Sequence, residues 1–366
     1  WPEGVAVREV EAKLRSVRDV LAAQDLAALR LRGVDWFSWI TGGASSVVLL
    51  AAEGGVAEVL VTQTGAWVLT DAIEHARLAA EEVPHDFDVW SRPWEAPEDT
   101  ETFVRDLTKG ALVASDRPGP GEVGLPADVI AAKRRLLPDE LDRYRRLGRD
   151  AAEAMTEALS AADPAWSEHR LLGEGARALW ARGIHPTLAL AAGESRLPRY
   201  RHPVATAATL DGIAMLVFCA RRHGLYANLT RFLFFRPPTL EERRLRDVVA
   251  SVEAAAFAAS APGAPLSAVY RALATAYERA GFPGECAKHH QGGTTGYLAR
   301  EALATPTAGT TIEPDTALAW NPSVPGAKIE DTVVRTTTTL EPLTVDPRWP
   351  VFEHEERRRP DFLVRP

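Results

Sequence analysis

Apolar positions near the start of the chain recur at helical spacing. Val10, Leu14, Val17 and Leu21 fall among Glu, Lys and Arg and predict an amphipathic helix. Short, nearly continuous apolar runs follow. Val34-Asp-Trp-Phe-Ser-Trp-Ile-Thr-Gly-Gly and Ser46-Val-Val-Leu-Leu-Ala-Ala, broken at Gly42 and Gly54-Gly55, are read as strands. Ala57-Glu-Val-Leu-Val-Thr predicts another strand, with a helix near 70–80. Such alternation predicts a small α/β domain. After turns at Pro118-Gly-Pro-Gly and Gly124-Leu-Pro, a long helix is predicted from Pro138. Asp139 and Glu140 stand at the positive end of its dipole, and Leu141, Tyr144, Ala151, Met155 and Leu159 keep one face. The domain boundary is placed near residue 136, giving domains 1–136 and 137–366.

Beyond it the pattern predicts a helix after Asp163-Pro-Ala-Trp-Ser reaching Trp180, and one opened by the capping box Thr239/Glu242 and running to about Ala259. A third is predicted over 264–280. Strands are predicted at 186–192, 213–219, 225–235, 316–321 and 330–336. Helices first with strands between them predict an α+β domain.

Composition narrows the field. The 366 residues are 46% hydrophobic and 25% charged, with a formal charge of −8 and both signs dispersed. A dispersed acidic balance lacks the basic stripe of a nucleic-acid binder. Two cysteines, Cys219 and Cys286, provide no disulfide framework. No apolar run approaches the roughly 20 residues a membrane span needs. Trp1-Pro-Glu-Gly has neither the basic start nor the apolar core of a signal peptide, so a cytoplasmic protein is expected. The P-loop, the dinucleotide-binding glycine pattern, the Gly-x-Ser-x-Gly elbow and the Cys-x-x-Cys pair are all missing.

Three blocks carry a resemblance. Residues 211–235 run from Asp-Gly-Ile-Ala to Asn-Leu-Thr-Arg-Phe, residues 289–297 read His-His-Gln-Gly-Gly-Thr-Thr-Gly-Tyr, and residues 320–332 run from Trp-Asn-Pro-Ser to Lys-Ile-Glu-Asp-Thr. In order and spacing they resemble the motifs of the creatinase, aminopeptidase P and prolidase family, the pita-bread hydrolases. The Trp-Phe-Ser-Trp-Ile-Thr-Gly run likewise resembles a Tyr-Leu-Thr-Gly run in that family's amino-terminal domain. The implied fold is α+β: a pita-bread catalytic domain preceded by a smaller, ribonuclease H-like α/β domain.

In metal-dependent members these motifs supply two Asp, one His and two Glu. By spacing, the Asp positions here become Val217 and Asn228, and the Glu of Glu-Pro-Gly becomes Asn321. One histidine, His289 or His290, and Glu330 are retained. Glu313-Pro314 mimics Glu-Pro-Gly in letters but precedes the strand instead of following it. Hard divalent cations need several charged oxygen ligands, and two-metal sites need bridging carboxylates. The expected metal content and cofactor are therefore none.

The chain has nine histidines. His289 and His290 adjoin Gln291-Gly-Gly, where bare backbone lets a ligand approach. His202 lies in Leu197-Pro-Arg-Tyr-Arg-His-Pro, which resembles the family's Pro-His-Tyr segment, although strict spacing puts Arg199 at the histidine position. By the resemblance His289, His290 and His202 are the acid/base candidates. Asn228, Asn321, Glu330, Arg199, His223 and Arg231 are the substrate-binding candidates: the asparagines to orient substrate or water, Glu330 to hold a substrate cation or to pair internally with Arg231, Arg199 to pair with a carboxylate. Cys219, following Leu-Val-Phe in a strand, is read as a buried structural cysteine.

The resemblance to creatinase implies a metal-independent hydrolase that cleaves a C–N bond in a small polar or zwitterionic substrate. The alternatives are an Xaa-Pro aminopeptidase or prolidase with an atypical metal site, a lyase, and an inert pita-bread binding protein. A small-molecule or dipeptide-like substrate, no nucleic-acid or membrane partner, and a homodimer are expected.

Overall fold

The computed structural model describes residues 6–365. The reading of Trp1-Pro-Glu-Gly therefore lies outside the described residues. The chain divides into two compact units, Trp1–Leu141 and Asp142–Pro366, so the division falls inside the Pro138–Ala161 helix.

The first unit is a six-stranded mixed sheet. Its strands lie in the order Asp88–Arg92, Ala66–Asp71, Gly54–Thr62, Ala28–Gly33, Val113–Ser115 and Glu122–Gly124. The inner three pair antiparallel, and the outer ones add in parallel. The helix predicted from Val10 to Leu21 forms over Ala6–Ala23, and those four residues are buried.

Two strand readings fail here. Val34–Ile40 is a helix, with Phe37, Trp39 and Ile40 fully buried. An apolar run covered on nearly all sides has no polar face to betray its period, so a buried helical segment reads like a strand. Residues 46–52 form no strand, and Val48, Leu49 and Leu50 are exposed. The central strand Ala28–Gly33 was hidden because its Arg30 is buried in ion pairs with Glu58, Glu101 and Glu122.

The second unit is α+β. Its helices are the Asp142-to-Ala161 part of the long helix, Glu168–Trp180, Leu240–Ala259 and Leu266–Arg279. Ser167 caps the second through the Arg170 amide, and the Thr239/Glu242 capping box is formed in both directions.

One sheet orders the strands Leu363–Val364, Leu225–Phe234, Ile213–Arg222 and His185–Gly193. The other orders Ala302–Leu303, Gly292–Thr295, Thr316–Trp320, Asp331–Arg335 and Leu340–Pro342. Among the described residues the two meet at the bridge between Thr230 and Glu330. Around it the Thr230 amide donates to Glu330 O at 3.1 Å, and the Asn228 amide donates to Thr332 Oγ1 at 2.7 Å. The Leu240–Ala259 and Leu266–Arg279 helices cover the second sheet with Val249, Val252, Phe257, Val269, Leu273 and Tyr277 against Leu318, Trp320 and Val333. Among the described residues no helix is long and apolar enough to cross a membrane.

Candidate active site

The tight hairpin between Ile213–Arg222 and Leu225–Phe234 sets the register of the site. Its turn residues, His223 and Gly224, both have positive φ, 51° and 77°, the backbone of the turn whose twist suits a two-residue hairpin. This register seats Cys219 opposite Asn228 and Val217 opposite Thr230. The motif spacing puts the two Asp positions at Val217 and Asn228; in the sheet the residue directly across from Asn228 is Cys219. Asn228 and Thr230 are buried and share one face of their strand. The Asn228 Nδ2 donates to Thr295 Oγ1 at 3.1 Å, while its buried Oδ1 has no partner.

Glu330 enters that face from the bridge. It is 2% exposed, and both of its oxygens are occupied. Arg300 donates to Oε1 at 2.8 Å; Thr230 Oγ1 donates to Oε2 at 2.9 Å, and Lys328 Nζ lies 3.0 Å from the same oxygen. Burial works to raise this carboxyl's pKa, but Lys328 and Arg300 outweigh it and hold it at about 2. Arg300 was missed in the sequence, since an ion pair spanning thirty residues leaves no spacing signal, and Lys328, two residues from Glu330, read as an ordinary strand-end lysine. Cys219, read from the sequence as a buried structural cysteine, is half-buried. Its thiol lies within electrostatic reach of Glu330, Arg300 and Lys328, and burial pushes it up to about 12, which keeps it protonated.

The three candidate histidines converge. Nε2 of His289 lies 2.9 Å from Nε2 of His202, with ring centroids 4.7 Å apart. The His290 ring is 4.6 Å from that of His289 and 5.9 Å from that of His202. His202 and His290 are exposed, His289 is half-buried, and the buried His289 Nδ1 has no partner.

Two devices hold the loops that carry them. Arg201, next to His202, is ion-paired with buried Glu285, four residues before His289. The Gln291 side chain donates to His289 O at 2.6 Å and accepts from Tyr277 Oη at 2.8 Å. Desolvation, then Lys328 and the neighbouring imidazoles, lower His289 to about 3. Desolvation, then Arg300 and His202, lower His290 to about 4, and His202 is lowered by desolvation and Lys328. All three are neutral at pH 7. With Lys328, Arg300 and Glu330 beside them, the local sum is one positive charge.

The other candidates fall elsewhere or nearby. Asn321 is buried; its amide donates to Gln291 O at 3.1 Å and its Oδ1 has no partner. Arg199 is exposed in the loop before His202. His223 stands at the exposed hairpin tip, beyond the Leu225 end of the strand, which is itself about 10 Å from Asn228 at roughly 3.3 Å per residue. Arg231 points to the opposite face of its strand, where it pairs with Asp331 at 2.7 Å and donates to Thr344 O at 2.8 Å. The internal partners of Glu330 are therefore Lys328 and Arg300, and Arg231 belongs to the Asp331–Arg359–Glu253 network.

The family model of metallopeptidase family M24 matches residues 142–337, more than half of the chain. The chain belongs to metallopeptidase family M24. That membership places it among the hydrolases of the creatinase and Xaa-Pro peptidase group. A search of curated proteins finds no match. Among solved structures it is similar to an X-Pro aminopeptidase from Thermotoga maritima, with TM-score 0.77, 16% identity, and 96% of this chain and 99% of that chain covered. An Xaa-Pro dipeptidase from Bacillus anthracis gives TM-score 0.77, 15% identity and coverages of 97% and 99%. A prolidase from Pyrococcus horikoshii gives 0.75, 16%, and coverages of 92% and 99%. At these identities the likeness speaks for the fold.

The M24 motif positions do not fit a pair of divalent cations here. Val217 and the protonated Cys219 thiol offer no hard ligand, Asn228 and Asn321 are uncharged, and Glu330 is committed to an ammonium and a guanidinium.

Proposed function

We propose that this M24 protein is a hydrolase that cleaves a C–N bond in a small zwitterionic substrate by histidine acid/base chemistry, without the family's dinuclear centre. The observation that carries the reading is the His289–His202 contact at 2.9 Å beside the Lys328–Glu330–Arg300 cluster. Two neutral imidazoles at that distance form one N–H···N hydrogen bond, so one ring accepts a proton while the other donates.

Lys328 and Arg300 each keep N–H donors beyond those spent on Glu330. A substrate carboxylate fits those donors. Glu330, already saturated, acts by fixing the two cations instead of holding a substrate cation. The carboxylate has a second effect. It neutralises charge that depresses the imidazoles, raising their basicity when substrate arrives and bringing their pKa toward the range where general acid/base catalysis is efficient. The unpaired Oδ1 atoms of Asn228 and Asn321 are acceptors suited to a substrate N–H or a water. By the same resemblance the protein acts in the cytoplasm as a homodimer, which gel filtration with light scattering would check.

The test is a screen of N-substituted amino acids, guanidino acids and proline dipeptides with chelator-treated protein. Turnover by that protein, abolished in His289→Ala or His290→Ala, is the expected result. Activity that appears only after two equivalents of Mn²⁺ or Co²⁺ would overturn the reading in favour of an atypical metallopeptidase.

A further inference from the structure

His202, His289 and His290 come from two separate loops, and one ring nitrogen of each lies within 4.8 Å of the others. We propose that these three imidazoles form a mononuclear site for a late first-row divalent cation of the Zn²⁺ or Cu²⁺ class, distinct in ligands from the M24 dinuclear centre. Of the three, only a histidine at 289 or 290 stands at a position where the family motif has a ligand. His202 and the second histidine of the pair stand outside the motif's ligand positions.

The chemistry favours this class of ion. Neutral imidazole is a preferred donor for Zn²⁺ and Cu²⁺ and a poor one for Mg²⁺, Ca²⁺ or Mn²⁺. Metal–nitrogen bonds of about 2.0–2.1 Å place neighbouring ligand atoms roughly 3.0–3.4 Å apart. The His289–His202 separation of 2.9 Å is within a few tenths of an ångström of that range. His290 has farther to go: its ring lies nearly parallel to that of His289, at 23°, so its side chain must rotate to converge. It is exposed, and the movement is a change of side-chain rotamer that breaks its stacking on His289.

The Arg201–Glu285 ion pair ties the two loops together and the Gln291–His289 hydrogen bond fixes the histidine loop before any ion arrives, which lowers the entropic cost of assembling the ligands. Lys328 and Arg300 oppose any cation here and Glu330 offsets one of their charges; the residual positive charge works against the first ion and, added to that ion's own charge, more strongly against a second. Three protein ligands leave an open coordination position. To bind the ion, the ring that donates in the His289–His202 hydrogen bond must carry its proton on Nδ1 instead of Nε2, so the ion-bound and proton-sharing forms exclude each other.

The inference concerns binding and stands whether or not the catalytic reading holds. Untagged full-length protein would be titrated with Zn²⁺ by calorimetry and loaded with Cu²⁺ for electron paramagnetic resonance. One ion per chain, with hyperfine splitting from several nitrogens, is expected. His202→Ala, His289→Ala and His290→Ala should each lose stoichiometric binding while keeping the parent's circular dichroism. Asn228→Ala and Asn321→Ala should retain it. Absence of stoichiometric Zn²⁺ or Cu²⁺, or binding that survives in His202→Ala, would overturn the site. Loss of binding in the asparagine variants would overturn it too, by pointing to the motif positions instead.

Discussion

Replacing Lys328 with Met removes the charge that, after burial, contributes most to holding His289 near 3. His289 should then titrate at higher pH, which a ¹⁵N NMR titration of the imidazoles would read directly. An unmoved His289 would show that Lys328 does not govern it. The sign carries into kinetics. The imidazole must be neutral to accept a proton, and in the free protein His289 and His290 stay neutral far below pH 6.5. The acid limit of kcat/KM, which reports the free enzyme, should therefore lie well under 6.5 and move upward in Lys328→Met. A limit at 6.5 in the parent protein would contradict the lowered values of His289 and His290. His289→Ala and His290→Ala should lower kcat by about 10²–10⁴-fold, the usual worth of a positioned acid or base. Lys328→Met should also raise KM for a carboxylate substrate, measured by steady-state kinetics.

Elements position these residues through a few tight backbone contacts. Gly292 opens the strand after the histidine loop with φ at +108°, and a Cβ there would come 2.0 Å from Ala319 O. Gly292→Ala should cost at least ~2 kcal/mol, since both strain and a backbone clash oppose it. Thermal unfolding would measure the loss, and an unchanged Tm would mean the strand pairing is looser than it looks. This scale also shows what the sequence could tell. The Glu168–Trp180 and Leu240–Ala259 helices were legible because their caps and apolar stripes are local. The motif residues Asn228 and Glu330, and the histidine pair, were legible because their spacing survives. The aromatic helix Val34–Ile40 was not, because burial on all sides erases periodicity. Nor was the pairing of Cys219 with Asn228, which depends on the two-residue turn at His223-Gly224. Lys328 and Arg300 escaped notice because their importance arises only when distant strands meet at Glu330.

At the scale of the whole molecule, the charge arrangement predicts an acid-sensitive fold. His289 and His290 have folded pKa values below the unfolded 6.5, so the stability they confer is complete above that pH. It is lost as pH falls from 6.5 toward 4 and 3. Glu330, at about 2 against 4.5 unfolded, adds a loss of the same sign between those two values. Tm should fall progressively from pH 7 to pH 3, and Glu330→Gln should flatten the part below 4.5. A Tm indifferent to that range would argue against both. Elemental analysis of protein purified without chelator should also find no more than one transition-metal ion per chain. Two would restore the family's dinuclear centre.

The Lys328 ammonium at 3.0 Å from Glu330 has one more consequence. A counter-ion borrowed from solution is subject to supply: it is diluted away or traded for a competitor. A counter-ion borne by the same polypeptide is made with each copy at fixed stoichiometry. The Glu330 carboxylate is thereby provisioned by translation instead of by the mineral composition of its surroundings.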